Sequence, residues 1–270
     1  MKVTALWVYP VKSLAGQSIS EAELQTRGFA DDRRWMLVDE NGRFISQREH
    51  AHLARWQARL EVDTLFLKQL DTGVEIRVPQ ARAEAGPQLV VQIWQDQVVA
   101  REVTTVPAEV LKVAFGFPCR LVYMAEDSRR AVDPRYAKAG EEVSFADGYP
   151  YLITTTGSLR AVEQQRGADL SMRRFRPNIV VEHEAAFAED QWQAVTIGRQ
   201  PFRLPKPCAR CIVITIDPDT TVKDPDVFAA VADLHQEGRK VLFGMNACWE
   251  GLLAGKLRVG DEVLVETIRS

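Results

Sequence analysis

The sequence has few cysteines, no long apolar run and no excess of positive charge. Four cysteines among 270 residues are too few for a disulfide framework, which predicts a protein of a reducing compartment. No apolar run approaches the length that crosses a membrane, and the first residues carry no signal-peptide pattern. The formal net charge of −3 argues against a general binder of nucleic acid or membrane surfaces. We therefore expect a cytoplasmic protein whose partners include no nucleic acid polymer and no membrane.

The common catalytic motifs are also missing. The sequence has no Walker-type phosphate loop, no G-x-G-x-x-G after a strand, no H-E-x-x-H and no G-x-S-x-G. Its four histidines form no set with metal-ligand spacing beyond His50 and His52, which lie on a predicted loop. What remains for chemistry is one cysteine motif and several scattered basic residues.

The pattern of apolar residues predicts a mainly β (α+β) fold. Hydrophobic residues make up 46% of the chain, enough for a substantial core. Short segments rich in β-branched residues alternate with turn signals, which is typical of barrels and sandwiches. The strands predicted in the first half are Lys2–Val11, Ser18–Leu24, Trp35–Val38, Leu60–Leu67, Val74–Val78 and Leu89–Val103. A short helix is predicted over Val106–Phe115, with Pro107 near its start.

The second half of the sequence has a different pattern, in which predicted helices and a long loop lie between the strands. Ser128–Gly148 is charged, contains Pro and Gly, and predicts a long surface loop. Helices are predicted at Thr156–Arg166 and Asp224–Gln236. Strands are predicted at Asn178–Glu182, Val195–Gly198, Phe202–Leu204, Ile212–Ile216 and Leu257–Thr267. We expect two domains, residues 1–115 and residues 116–270, with a boundary near residues 105–120.

Cys211 is the leading candidate for chemistry. It follows Arg210 directly, and a neighbouring cation favours the thiolate form of a cysteine. A thiolate acts as a nucleophile, a redox centre or a ligand for soft metals, among which molybdenum, copper and zinc all qualify. A buried, inert cysteine remains the alternative. Pairing with Cys208 as a zinc or dithiol site is the weakest interpretation, because a second ligand pair is lacking.

Four basic residues occupy turn-like settings that suit anion binding. They are Lys12, Arg33, Arg176 and Arg210. Arginine matches phosphate geometry through two-point contacts, and lysine adds a mobile point charge. For each residue taken alone, a solvated surface charge is the better interpretation, and their spacing does not establish that they converge.

Several short motifs occur together in an order that indicates a family. They are Tyr9-Pro10-Val11-Lys12-Ser13, Asp32-Arg33-Arg34-Trp35, Phe145-Ala146-Asp147, Phe175-Arg176-Pro177-Asn178-Ile179-Val180, Cys208-Ala209-Arg210-Cys211, Thr215-Ile216-Asp217-Pro218-Asp219-Thr220, Phe243-Gly244 and Val259-Gly260-Asp261. The chain resembles the molybdenum-cofactor-binding MOSC proteins. The members of this group that the chain resembles have an N-terminal β-barrel domain followed by a β-barrel MOSC domain with a few helices. Within that family it is most similar to the mitochondrial amidoxime-reducing component and its bacterial relatives.

The resemblance implies roles for particular residues. Cys211 would be the protein thiolate on molybdenum, and Asp147 would pass a proton near the metal. The pyranopterin phosphate would be held by Lys12, Arg33, Arg176, Asn178 and Arg210. For Asp147 the alternative is a loop carboxylate that binds a backbone N–H. Cys208 is expected to be a structural thiol.

The resemblance also implies an activity. A molybdenum-cofactor-dependent reductase would remove oxygen from a small N-hydroxylated compound. The sequence carries no C-x4-C-x2-C cluster motif, so the electrons are expected from a separate electron-transfer protein or reductase. The alternative is a non-catalytic molybdenum-cofactor-binding or carrier protein. The N-terminal barrel with Lys12 and Arg33 favours the reductase.

Overall fold

Strands dominate the chain, which confirms the predicted mainly β fold. The computed structural model describes residues 1–252 and 254–269. The strands of the first half are β1 (Val3–Val8), β2 (Gln17–Ile19), β3 (Glu21–Gln25), β4 (Gly28–Phe29), β5 (Trp35–Val38), β6 (Trp56–Glu61), β7 (Thr64–Gln69), β8 (Glu75–Pro79), β9 (Gln88–Ile93) and β10 (Asp96–Glu102). Those that follow are β11 (Arg120–Tyr123), β12 (Tyr151–Thr155), β13 (Ile179–Val181), β14 (Trp192–Ile197), β15 (Gln200–Ala209), β16 (Gln236–Glu237), β17 (Lys240–Trp249), β18 (Gly255–Arg258) and β19 (Val263–Ile268).

Helices are few and short. The α-helices are α1 (Gln80–Glu84), α2 (Ala108–Phe115), α3 (Thr156–Arg166) and α4 (Pro225–Leu234). Turns of 3-10 helix lie at Ala51–Arg55, Met172–Phe175, Ala188–Gln191 and Ile212–Thr215. Among the described residues, no helix is long and apolar enough to cross a membrane.

One large curved sheet organises the second half of the chain. Its strand order is β19-β14-β15-β17-β12-β13-β1-β2, with β16 pairing β17. An antiparallel bridge between Lys2 and Glu262 draws the two ends of the sheet toward each other, giving a half-barrel. Apolar side chains of β1, β12, β13, β14 and β17 form one core inside it. Strands β18, β3 and β4 make a small sheet against the same core.

The rest of the first half, together with β11, forms two smaller sheets. Their strand orders are β5-β11-β10-β9 and β6-β7-β8. Trp35, Trp56 and Phe115 share one buried core between them, and the α2 helix packs against it. Burial of each such aromatic side chain stabilises the fold by roughly 1.5–3 kcal/mol.

The first thirty residues pack with the second half of the chain. Strand β1 lies between β13 and β2 in the large sheet, and Leu6 and Phe29 belong to its core. The first 115 residues therefore contribute strands to both halves of the molecule. The division into domains at residues 115 and 116 stays a prediction.

The predicted helices are present, and residues at their ends explain where they begin and end. The α2 helix begins after Pro107 and ends at Gly116, whose φ of 82° only glycine adopts easily. The α3 helix begins where the Thr155 hydroxyl accepts a hydrogen bond from the Ser158 N–H, satisfying a free donor of the first turn. Asp224 caps α4 in the same way. The segment predicted as a long loop, Ser128–Gly148, contains no named helix or strand.

Several strand predictions need correction. The strand predicted over Ile212–Ile216 is wrong, because Ile212–Thr215 is a 3-10 turn. The Thr215 hydroxyl donates to the Ile212 carbonyl oxygen at 2.7 Å, which closes the turn without a neighbouring strand. The segments Leu60–Leu67, Leu89–Val103 and Leu257–Thr267 each contain a reversal, so each contributes parts of two strands. Strands β11, β12 and β17 were not predicted.

Candidate functional site

The residues singled out in the sequence meet at one cavity. It has a volume of about 150 Å³ and is lined from both halves of the chain. Its lining includes all seven predicted site residues, namely Lys12, Arg33, Asp147, Arg176, Asn178, Arg210 and Cys211. These residues are spread from position 12 to position 211. They are therefore brought together by the tertiary fold, because no single local motif contains them.

Lys12 and Asp147 form an ion pair in this cavity. Lys12 follows β1, and its backbone N–H donates to the carbonyl oxygen of Trp35 at 2.8 Å. Its Nζ atom is buried and donates to Oδ1 of Asp147 at 2.6 Å. Burial lowers the pKa of Lys12, and the charge of Asp147 opposes that shift. The pair therefore places a proton donor next to an acceptor.

Asp147 lies near the end of the long loop between β11 and β12. The Arg130 guanidinium donates to three carbonyl oxygens of this loop, at positions 144, 146 and 147, and so fixes its end. Partial enclosure disfavours the charged form of Asp147, but the charges of Lys12 and two neighbouring arginines outweigh it and hold its pKa below the ordinary value. The carboxylate is thus an anion at neutral pH. Its partner is the Lys12 ammonium.

Arg33 is held by a buried acid and a buried amide. It has a φ of 51°, in the left-handed region, directly after Asp32. Its Nη1 atom donates to Oδ2 of Asp32 at 2.6 Å and to Oδ1 of Asn178 at 3.0 Å. The Asn178 amide also donates to a β1 carbonyl oxygen at 3.2 Å. Asn178 therefore orients Arg33, and its own contact with a cofactor phosphate stays a prediction.

Arg176 lies next to Arg33 without an acidic partner among the described residues. Both guanidiniums lie over the Tyr9 ring, at 4.3 and 4.4 Å from its centroid. Nη1 of Arg176 donates to the Leu14 carbonyl oxygen at 2.7 Å. Burial, followed by repulsion from Arg33, lowers the pKa of Arg176 to about 10. An anion beside these two side chains would relieve that repulsion.

The cysteine motif forms another part of the lining. Cys208 and Cys211 are both half-buried free thiols. The guanidinium of Arg210 lies between two elements, donating to Sγ of Cys208 at 3.1 Å and to the Phe175 carbonyl oxygen at 2.7 Å. The expected contact of Arg210 with a thiol is therefore made to Cys208. Sγ of Cys211 has no hydrogen-bond partner among the described residues.

The other two cysteines are unsuited to chemistry. Cys119 and Cys248 are buried, and burial raises the pKa of each thiol to about 12. No cluster of three or more His, Cys, Asp and Glu side chains within the described residues is arranged to hold a metal ion. A zinc site at Cys208 and Cys211 therefore has no further protein ligands in this part of the chain.

The cavity has an excess of positive charge that suits an anionic cofactor. Its lining contains the cations Lys12, Arg33, Arg48, Arg176 and Arg210 and the carboxylate of Asp147. The Nε atom of Arg210 is buried and has no hydrogen-bond partner among the described residues. A phosphate would supply both the missing charge and the missing acceptor. The residues present therefore fit a phosphate-bearing cofactor together with a free thiol for a soft metal.

Sequence reasoning missed part of the lining. Phe44, Arg48 and Trp94, from the first half of the chain, line the same cavity. Phe44 and Arg48 come from one segment and Trp94 comes from the turn between β9 and β10, and no motif or spacing links the two. The single local signal is a large aromatic residue in the tight turn between two strands, where glycine or asparagine is usual.

Comparison with known proteins finds two domain families along the chain. A model of the MOSC N-terminal beta barrel domain matches residues 1–112, and a model of the MOSC domain matches residues 140–264. The chain belongs to the MOSC family. This confirms the resemblance found in the sequence motifs.

The curated relatives of this MOSC protein include two kinds of protein. It is 29% identical to mitochondrial amidoxime-reducing component 1 of Mus musculus, over 97% of this chain and 81% of that protein. It is also 29% identical to molybdenum cofactor sulfurase of Homo sapiens, over 97% of this chain but 32% of that protein. The YuaD protein of Bacillus subtilis aligns in structure with 97% of this chain and 93% of that chain, at 11% identity and a TM-score of 0.45, a similarity too low to support an inference. The relatives connect the chain to a molybdenum-cofactor-related function.

Proposed function

We propose that this MOSC protein is a molybdenum-cofactor-dependent reductase that removes oxygen from small N-hydroxylated compounds. The observation that carries the proposal is the cavity, in which a free thiol, an ion pair and a group of arginines lie together. The amidoxime-reducing relatives, which match over nearly the whole chain, support the same activity.

Each lining residue would have a distinct part in holding the cofactor. The free thiol of Cys211 would bind the metal as thiolate, the form that soft metals prefer. Arg33, Arg176 and Arg210 would bind the phosphate, and Asn178 would keep Arg33 in place. When bound, the cofactor supplies the redox chemistry and the Lewis acidity that the protein groups lack.

The Lys12–Asp147 pair would supply protons. Conversion of an N–OH group to N–H and water consumes two electrons and two protons. Because burial lowers the pKa of Lys12, its ammonium releases a proton more readily than a free lysine does. After Lys12 has given up a proton, the Asp147 carboxylate, 2.6 Å from its Nζ atom, would pass a proton from water at the open side of the cavity back to Lys12.

We propose that the electrons come from a separate electron-transfer protein or reductase. In the sequence we find no nicotinamide fingerprint and no C-x4-C-x2-C cluster motif. The cytoplasmic location expected from the sequence stays a prediction, since the amidoxime-reducing relatives are mitochondrial by name.

A non-catalytic cofactor carrier is the second candidate. The molybdenum cofactor sulfurase relative favours it, because the matching region is about a third of that larger protein. The same cavity would then bind the cofactor for transfer, without turnover of a nitrogen compound.

Electron-donor dependence separates the two candidates. Molybdenum-loaded protein is incubated with benzamidoxime and with NADH alone, reduced viologen, or a flavoprotein plus a small electron carrier, and benzamidine is quantified. We expect no product with NADH alone and turnover with viologen. Product with NADH alone would contradict the need for a separate donor. Silence with every donor would favour the carrier.

A further inference from the structure

One wall of the cavity has no part in the proposed chemistry. It consists of Phe44, Arg48 and Trp94, and we call it the aromatic wall. The Phe44 and Trp94 rings meet edge to face with centroids 4.8 Å apart. Nζ of Lys12 lies 5.2 Å from the centroid of Phe44, so the wall adjoins the Lys12–Asp147 pair.

Trp94 occupies a backbone position that does not suit it. It is the first of two residues joining β9 to β10, and its φ is 55°. Asparagine and glycine are favoured in such turns, and a bulky residue there is strained. The ring is half-buried: one side packs against a hydrophobic core cluster, and the ring also lines the cavity. Strain of this kind concentrates at functional sites.

Arg48 places its guanidinium beside Trp94 in the aromatic wall. Its guanidinium carbon lies 4.4 Å from the Trp94 ring centroid, as in a cation–π contact. Within residues 1–252 and 254–269 its side chain makes no salt bridge and no hydrogen bond. The N–H groups of the fork are therefore available to an anion, and stacking on the ring limits their motion.

We infer that the aromatic wall binds the part of the substrate remote from its N–OH group, and that the preferred substrates are planar aromatic N-hydroxylated compounds bearing an anionic group. The ring packs against Phe44 and Trp94, and a carboxylate or phosphate accepts hydrogen bonds from Arg48. This deepens the proposed function and rests on it, since it assumes that the N–OH group faces Cys211 and Asp147.

Two pairs of ligands test the wall by equilibrium binding. Isothermal titration calorimetry compares 4-carboxybenzamidoxime with benzamidoxime, and benzamidoxime with acetamidoxime, on molybdenum-loaded protein. We expect the carboxylate to tighten binding about tenfold or more, as a charge-assisted contact does. In Arg48→Gln the ratio of the two dissociation constants falls to near one. Trp94→Asn, which suits the turn, lowers the preference for benzamidoxime over acetamidoxime.

The matched control is Arg43→Gln, an exposed arginine in the same segment that does not line the cavity. It retains the carboxylate preference of the unsubstituted protein. A carboxylate preference that is absent, or that survives Arg48→Gln, would overturn the role of Arg48. An unchanged aromatic preference in Trp94→Asn would overturn the role of the ring.

Turnover on the same preparations separates this inference from the proposed function. With reduced viologen as donor, the KM ratio of the two aromatic compounds follows their binding ratio. Turnover without a carboxylate preference removes the inference and leaves the reductase. The expected binding preferences without turnover leave the wall as a ligand site and remove the reductase.

Discussion

At the scale of single residues, the site is a group of cations in which three guanidiniums are oriented partly by neutral acceptors. The guanidiniums of Arg33, Arg176 and Arg210 each donate to a backbone carbonyl oxygen, of Arg176, Leu14 and Phe175 in turn. A carbonyl oxygen orients a guanidinium without cancelling its charge. The cavity therefore stays electropositive while its side chains are already in place, which reduces the ordering needed when an anion binds.

Replacement of Arg176 by alanine tests this preorganised charge. We expect cofactor retention to weaken roughly tenfold or more, because a charge-assisted hydrogen bond contributes on the order of 1.5–3 kcal/mol. The free energy of unfolding should change little, since loss of the Leu14 contact is offset by relief of the repulsion from Arg33. Cofactor content after dialysis measures the effect. Arg160→Ala, at an exposed arginine outside the cavity, is the control. Equal retention in the two variants would contradict the role of Arg176.

At the scale of elements, sequence patterns located most strands but not their neighbours. The β-branched run at Ile212 predicted a strand, yet the last ladder bond before it runs from the Arg210 N–H to the Val241 carbonyl oxygen. With no strand beside it, the run folds into a 3-10 turn. Strand β17 was not predicted because its apolar residues follow one another without the alternation that is typical of half-buried strands. Gly244, in the middle of the strand, also weakens the strand pattern.

The 3-10 turn at Ala188–Gln191 contains a carboxyl group with an unusual pH response. Burial, and then the charge of Glu189, raise the pKa of Asp190 to about 7, against an opposing effect of Arg269. Its Oδ2 atom lies 3.3 Å from Nε2 of His235, whose pKa burial lowers. A raised folded-state pKa means that the folded protein binds more protons than the unfolded chain. Stability from this group is therefore full only below about pH 4, falls as the pH rises above that value, and is lost once the pH has passed 7.

Asp190→Asn removes that loss. We expect the variant to gain on the order of 1–3 kcal/mol at pH 8 relative to its value at pH 5, since asparagine does not ionise. Urea unfolding at the two pH values measures it. Asp226→Asn, at an exposed carboxyl group of α4, is the control. A gain that is the same at both pH values would contradict the raised pKa. The burial of Glu189 raises its pKa too, so a slope of the same sign remains in the variant.

At the scale of the whole molecule, the cavity depends on both halves of the chain. Lys12 and Arg33 precede residue 115, and the cysteine motif lies far beyond it. Outside the cavity, Oδ1 of Asp219 lies 3.6 Å from Nη1 of Arg55, and this ion pair joins the two halves of the chain. Asp219 also pairs with Arg173, which lies in its own half. A ligand in the cavity would contact both halves and would therefore stabilise the assembled fold.

The whole-molecule view also explains how much of the site could be predicted. Basic residues in turn-like settings and a thiol beside an arginine were recognised in the sequence itself, because those side chains suit anion and metal binding. Asp147 and Asn178 followed only from the family resemblance. Their convergence depends on the sheet order, which no spacing reveals. Trp94 and Arg48 went unnoticed because each contacts the cavity from an isolated turn, and only the folded chain brings them to Lys12.

The most direct test of the account is the molybdenum content of two cysteine variants. Protein is purified from a host that makes the cofactor, and metal is measured by mass spectrometry for the unsubstituted chain, Cys211→Ser and Cys208→Ser. Both thiols line the cavity, but Sγ of Cys208 accepts a hydrogen bond from Arg210, whereas Sγ of Cys211 has no such partner among the described residues. We expect molybdenum in the unsubstituted chain and in Cys208→Ser, and its loss in Cys211→Ser. Molybdenum retained in Cys211→Ser, or lost equally from both variants, would contradict the assignment of Cys211 as the protein ligand.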